Sequence, residues 1–123
     1  MGVQFPLFVF EKDNCSMQLI EKQEDLFHHL EEIDIENDEY LFWDTNGAGV
    51  CLQVKKRKVI AIENCEAAKP LTEAFQTYCQ SLELAIDLGG SPIEAWNRIA
   101  DALKSRPKKK GRFARLFSKQ SMF

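Results

Sequence analysis

Residues 39–64 read Glu-Tyr-Leu-Phe-Trp-Asp-Thr-Asn-Gly-Ala-Gly-Val-Cys-Leu-Gln-Val-Lys-Lys-Arg-Lys-Val-Ile-Ala-Ile-Glu-Asn. The stretch predicts three consecutive antiparallel strands. Tyr40 and Phe42 alternate with Leu41 and Trp43, so the first strand is apolar on both sides and belongs in the middle of a sheet. Asp44-Thr45-Asn46-Gly47 is the first turn, because Asn-Gly between two apolar runs supplies the left-handed backbone that hairpins need. Val50, Leu52 and Val54 then point to one face and Cys51, Gln53 and Lys55 to the other. The basic cluster Lys55-Lys56-Arg57-Lys58 turns the chain again, and Ile60 and Ile62 continue an apolar face.

Working outward, residues 3–10 alternate in the manner of a strand rich in aromatic and β-branched side chains. Pro6 lacks a backbone donor, which places this strand at an edge or a bulge. Polar turn chemistry at Glu11-Lys12-Asp13-Asn14 leads to a short strand at 16–20, completing a hairpin. Residues 22–33 carry Leu26, Leu30 and Ile33 at helical spacing. Residues 69–88 read as the longest helix, with Leu71, Phe75, Tyr78, Cys79, Leu82, Ala85 and Ile86 on one stripe and Gly89-Gly90 as its C-cap. Ser91-Pro92-Ile93-Glu94 combines an N-cap, an N1 proline and a capping-box glutamate, the most specific local signal in the chain. The helix it opens, 92–104, turns Ile93, Trp96, Ile99, Ala100 and Leu103 inward and stops before Arg106-Pro107.

The chain has 123 residues, of which 45% are hydrophobic, a single-domain length and an ordinary globular composition. No apolar run approaches the roughly 20 residues that span a bilayer. The N-terminus has neither a basic leader nor a small-residue cleavage site, so a cytoplasmic protein is expected. Cys15, Cys51, Cys65 and Cys79 contain no CxxC pair; a secreted protein could form two disulfides from them, and in a cytoplasmic one four reduced thiols are expected.

Charge is divided sharply along the chain. All 19 acidic residues lie at or before Asp101, against half of the 16 Lys and Arg, which leaves residues 1–103 at −11. Residues 104–123 hold the other 8 basic residues and no acid. The expected organisation is a single domain over 1–104 and a basic amphipathic tail over 105–123.

Asp44-Thr45-Asn46-Gly47 has the opening of a calcium loop, but Lys55 stands where the bidentate glutamate belongs, so the turn reading holds and no metal site is assigned. Cys51 within a strand and Cys79 on an apolar stripe read as inert core thiols. His28 and His29 are adjacent on a helix, about 100° apart, and form no pair with a nucleophile. Nothing in the chain calls for a cofactor.

The acidic run remains, with Glu31, Glu32, Asp34, Glu36, Asp38 and Glu39. Together with Asp44 of the adjoining hairpin it is the candidate surface for a basic protein partner, whose encounter such charge accelerates. In the tail, Lys108, Lys109, Lys110, Arg112 and Arg115 alternate with Phe113, Leu116 and Phe117 at helical spacing. Such a segment suits a membrane surface or a docking site on protein. The −11 body repels a polyanion, so nucleic acid is not an expected partner.

Leu30-Glu31-Glu32-Ile33-Asp34-Ile35-Glu36-Asn37-Asp38-Glu39-Tyr40, followed by Phe42-Trp43-Asp44 and Gly47, resembles a pattern in small bacterial proteins of unassigned role. There a helix ends in Leu-Glu-x-Ile-Asp, and an acidic turn leads into a strand closed by an Asp-x-x-Gly hairpin. Some such proteins look like immunity proteins encoded beside secreted polymorphic toxins. The resemblance covers about 35 residues and leaves out the basic tail. It implies a cytoplasmic, non-enzymatic inhibitor that binds a cognate toxin. Two other functions fit the sequence: a peripheral membrane or scaffold adaptor using the tail, and a small enzyme with an unrecognised site. The fold class expected is α+β, an antiparallel sheet of about five strands in the order β-β-α-β-β-β-α-α with helices packed on one face.

Overall fold

A computed structural model describes residues 3–105. Five strands form one antiparallel sheet: β1 (Leu7–Glu11), β2 (Ser16–Ile20), β3 (Tyr40–Trp43), β4 (Gly49–Lys55) and β5 (Lys58–Asn64). Their spatial order is β2-β1-β3-β4-β5. Four helices complete an α+β fold: α1 (Leu26–His29), α2 (Glu32–Glu36), α3 (Leu71–Ser81) and α4 (Pro92–Ser105). The tail residues Lys108, Lys109, Lys110, Arg112, Phe113, Arg115, Leu116 and Phe117 lie outside the described residues.

β3 is the central strand, as its two-sided apolar pattern requires. β1 is not at an edge, contrary to the reading of Pro6. It pairs with β2 from Leu7↔Ile20 and with β3 from Phe8↔Trp43. The ladder begins one residue after Pro6, so the missing donor costs no strand bond.

Alternate residues of β1 feed two separate cores. Leu7 and Val9 join Ile20, Phe42, Val50 and Val54 on one face, capped by Leu26 of α1, Ile35 of α2 and Leu30 between them. Phe8 and Phe10 join Met17 and Trp43 on the other, covered by Phe75 and Cys79 of α3 and by Ala95 and Ile99 of α4. The two long helices thus share one face, and the short ones cover the opposite face. Phe8 meets Phe75 edge to face with centroids 5.4 Å apart, a favoured aromatic geometry. The long helices cover β2, β1 and β3 only. Cys51, Gln53 and Lys55 of β4 face the same side and remain exposed.

The first helical segment is broken where a continuous helix over 22–33 was expected. A 3-10 turn (Gln23–Asp25) runs into α1, and Leu30 then adopts extended backbone at φ −125°, ψ 149°. Restarting at Glu32 buries Ile35 at 7% exposure and leaves Ile33 at 60%. A straight helix keeps Ile33 on the inner stripe. The break exchanges it for Ile35, which reaches Tyr40, Val50 and Val54.

The long helix also stops early. α3 ends at Ser81, and Glu83 takes φ 57°. Leu84 N–H donates to Cys79 O at 2.9 Å and Glu83 N–H to Gln80 O at 3.1 Å, the two bonds of a Schellman motif. α2 closes the same way, with Asp38 at φ 62°, Glu39 N–H on Asp34 O and Asp38 N–H on Ile35 O. In both helices an acidic residue occupies the left-handed position that glycine usually takes.

After Glu83 the chain is extended and alternates. Leu84, Ile86 and Leu88 pack against the second core, while Ala85 and Asp87 are exposed. Arg98 of α4 holds this segment by donating to Asp87 O at 2.8 Å and Gly89 O at 2.7 Å. The capping box at 91–94 forms fully. Ser91 N–H donates to the Glu94 carboxylate at 2.9 Å, and Glu94 N–H donates to Ser91 Oγ at 3.2 Å.

A left-handed residue other than glycine costs about 1–2 kcal/mol of backbone strain, part of which glycine returns through its freer unfolded chain. Glu83→Gly is therefore expected to stabilise the protein by about 1 kcal/mol. Urea unfolding checks this as a raised midpoint at unchanged slope. A lowered midpoint would show that the Glu83 side chain contributes more than its backbone conformation costs.

Candidate functional site

The acidic run forms α2 and the turn that leads into β3. Ile35 anchors the element in the core, and two backbone bonds to Glu31 O, from Asp34 and Ile35, start it. The run does not act as one surface.

Glu32 is committed to the fold. Its carboxylate accepts the Lys56 N–H at 3.1 Å and also the Arg57 N–H. Lys56 and Arg57 are the central pair of the β4–β5 turn, at φ 54° and φ 60°. Such a turn favours Asn-Gly, and here a carboxylate 24 residues away secures it instead. The Arg57 guanidinium lies 5.7 Å from the Phe27 ring centroid and donates to Phe27 O at 3.4 Å. The basic cluster at 55–58 is therefore drawn onto α1 and α2, and one carboxylate of the acidic run is consumed in holding it.

Asp44 is committed as well. Oδ1 accepts the N–H groups of Asn46 at 2.9 Å and Ala48 at 3.0 Å, while Oδ2 faces Asn64 Nδ2 at 3.4 Å. Gly47 N–H donates to Asp44 O, and Gly47 takes φ 85°. This is a type I turn closed by a left-handed glycine. The expected turn is present, and its aspartate serves the backbone rather than an outside partner.

Glu31, Asp34, Glu36, Asp38 and Glu39 remain. The salt bridges among the described residues are His28–Asp25 at 3.7 Å and Lys69–Glu73 at 3.9 Å, so none of these five has a cationic partner within that reach. Glu31, Glu36 and Asp38 are exposed; Asp34 and Glu39 are half-buried. Their field reaches the core edge. Burial raises the Tyr40 phenol above its ordinary value, a backbone hydrogen bond from Glu31 opposes the rise, and the carboxylates of Glu11, Asp34 and Glu31 add to it.

Two of the four cysteines are joined. Cys51 of β4 and Cys65, just beyond β5, form a disulfide with Cα atoms 5.9 Å apart. This corrects the expectation of four reduced thiols. The register pairs Cys51 with Glu63, and Cys65 N–H donates to Gly49 O, so the two cysteines sit diagonally across adjacent strands. The spacing in sequence had no motif to reveal this; only the register makes the pair. Cys79 is buried, which pushes its thiol up and keeps it protonated. Cys15 is half-buried and free.

β3 and β4 pair only at Phe42↔Val50 and Trp43↔Gly49, then diverge. A cavity of about 250 Å³ opens in the wedge, lined by Lys12, Tyr40, Leu41, Cys51, Leu52 and Glu66 among others. A second, of about 260 Å³, lies where the N-termini of α3 and α4 approach the β3–β4 turn. Neither gathers a nucleophile with a base. His28 and His29 are exposed on α1, away from both. Among the described residues no three His, Cys, Asp or Glu side chains converge on a metal position. No helix among them is long and apolar enough to cross a membrane.

Comparison with protein-family models, curated proteins and solved structures gave no match. The functional reading therefore rests on the geometry of this chain.

Glu32 and Glu36 separate the two roles within one helix. Removing a carboxylate that accepts two backbone N–H groups costs about 1–3 kcal/mol, whereas an exposed carboxylate without a partner changes stability by about 0.5 kcal/mol or less. Glu32→Ala is expected to lower the unfolding free energy by about 1–2 kcal/mol, with Glu36→Ala close to wild type. Parallel urea titrations decide the matter, and equal effects at the two positions would contradict the division.

Proposed function

We propose that the protein is a non-enzymatic binding module that meets a basic protein partner through the outer side of α2 and the turn that follows it. The most concrete form of this reading is a cytoplasmic immunity protein that neutralises a toxin. The observation that carries it is the set of five carboxylates at Glu31, Asp34, Glu36, Asp38 and Glu39. They stand on an element fixed by Ile35 and Glu32, with no cation paired to them among the described residues.

The physical case is preorganisation. Like charges held together on a rigid element repel one another, and a partner bearing Arg or Lys relieves that repulsion as it binds. Because α2 is already pinned, little conformational entropy is lost on docking. Glu32 and Asp44 are withdrawn from the proposed contact, since their carboxylates are occupied by backbone donors. The adaptor reading depends on residues 106–123, which lie outside the described residues.

Compartment bears on this reading through the Cys51–Cys65 bond. A reducing cytoplasm exposes this bond to reduction, and the β4–β5 ladder, the Glu32 carboxylate at the tip and the Asn64 amide at the base then hold the strands in register. A loop closed over about 15 residues is worth about 3 kcal/mol in the chain-entropy account, so the oxidised form is the more stable.

Reversing Glu31, Glu36, Asp38 and Glu39 to Lys tests the surface while sparing Glu32 and Asp44. The variant is expected to remain folded by circular dichroism and to lose a partner that the wild type captures from its host. Stopped-flow association with that partner should slow strongly, and added salt should slow the wild type in parallel. A partner indifferent to both the reversal and the salt would remove α2 from the interface.

A further inference from the structure

The sheet has two edges, and they are treated differently. β2 is sheltered by α3, which packs against it, and its Met17 and Ile20 are buried. Among the described residues β5 pairs with β4 alone, and only Gln23, Glu24 and Phe27 approach it, sharing a groove with Lys58 and Val59 at its start. Its seven residues read Lys-Val-Ile-Ala-Ile-Glu-Asn, with Ile60 at 60% exposure. An uncovered edge of this length and composition is a template for pairing with another strand.

The register identifies which strand it fits. Val54 pairs with Val59 and Leu52 with Ile62, on the face of the first core; Lys55 pairs with Lys58 and Cys51 with Glu63, on the opposite face. The bulge opposite Gln53 and Val54 gives β5 one extra residue, and this places Val59 and Ile62 on the same face. Without it, residues three apart on a strand point to opposite faces. The same shift places Lys58 and Glu63 together on the other face.

Hydrogen-bonding direction follows from the flanking bonds. Cys65 N–H donates to Gly49 O, so every second residue back from it, Glu63 and Ala61, bonds toward β4. Lys58 closes the two-residue turn with Lys55 and also bonds inward. Val59 and Ile62 therefore present their N–H and C=O groups to the free edge.

We infer that β5 is a self-association edge, on which a second copy of this chain adds its own β5 antiparallel to form a continuous ten-stranded sheet. Two-fold pairing sets Val59 of one copy opposite Ile62 of the other, with bonding groups facing each other. It sets Lys58 opposite Glu63 twice, once on each side of the axis. The strand is thus complementary to itself in bonding direction, apolar content and charge. A parallel copy in register places Lys58 beside Lys58 and Glu63 beside Glu63, which repels. The pairing uses none of the α2 carboxylates proposed for a basic partner, although α2 holds the adjoining turn through Glu32.

Sedimentation equilibrium of the full chain up to millimolar concentration tests this. The wild type is expected to dimerise reversibly. Lys58→Glu or Glu63→Lys alone places like charges opposite each other at both contacts and should weaken dimerisation by about tenfold or more. The double variant Lys58→Glu/Glu63→Lys restores both opposite-charge contacts and should return dimerisation toward wild type. Ile60→Lys, at an exposed position, should also favour the monomer. Circular dichroism confirms that each variant is folded. A wild type that stays monomeric throughout, or a dimer indifferent to the single reversals, or a double variant without recovery, would overturn the inference.

Discussion

No side chain of β1 from Leu7 to Phe10 belongs to the surface. Leu7, Phe8 and Val9 are each 0% exposed, and Phe10 is 3%. A strand that buries both of its faces demands apolar cover on both sides of the sheet. One side receives α3 and α4, which bring a wide aromatic contact around Phe75 and Trp96. Among the described residues the other receives only a 3-10 turn and the short helices α1 and α2. Pieces that short have no independent stability, since helix nucleation is unfavourable and each contributes few bonds. They are held by the apolar residues they lend to the sheet, Leu26, Leu30 and Ile35.

The β4–β5 hairpin follows from the same constraint. It extends past the long helices, so among the described residues nothing covers one of its faces, and a hairpin packed on one side only is marginal. Tethers gather at its two ends. At the tip, Glu32 accepts the N–H groups of Lys56 and Arg57. At the base, Asn64 Nδ2 reaches Gly49 O at 3.1 Å, and Cys65 is bound both to Cys51 and to Gly49. The returning chain passes so close to Gly49 that an added Cβ would stand 2.6 Å from Cys65 O and 2.8 Å from Ala67 N. Trp43 Nε1 then donates to Lys69 O at 3.1 Å, fixing the entry to α3. Hairpin and helix are thus tied through one short crossing.

How much of this was legible depends on whether the signal was local. The capping box, the Asn-Gly turn and the two-sided Tyr40–Trp43 strand are written in adjacent residues, and they stand as read. The end of α3 is not marked by its glycines: Gly89-Gly90 is the local stop signal, whereas the Schellman bonds form around Glu83. A signal was nevertheless present: Leu82, Leu84, Ile86 and Leu88 alternate with polar or small residues at period two, not 3.6. The roles of Glu32 and Asp44 separate for another reason. Asp44 bonds within four residues, so its turn chemistry was visible. Glu32 bonds across 24 and 25 residues, and no local pattern distinguishes it from Glu31 or Glu36. The disulfide is long-range in the same sense, set by strand register rather than by spacing.

The two proposed associations share one charged body, and salt is expected to act on them in opposite directions. Residues 1–103 carry −11 and the whole chain −3, so the acidic bodies of two copies meeting at β5 repel while attracting at the two Lys58–Glu63 contacts. The repulsion is long-ranged and is screened beyond about 8 Å at physiological ionic strength. The contacts are short-ranged and share an apolar centre at Val59, Ile60 and Ile62, which salt does not weaken. Raising salt therefore removes more of the repulsion than of the attraction, and the copies are expected to associate more tightly. Contact between the α2 carboxylates and a basic partner has the reverse balance, because its attraction is the long-ranged part. Sedimentation and association rates followed across one salt series should then diverge. If both strengthened, or both weakened, a single kind of electrostatics would govern the two surfaces, and the separation of the β5 edge from the α2 carboxylates would not hold.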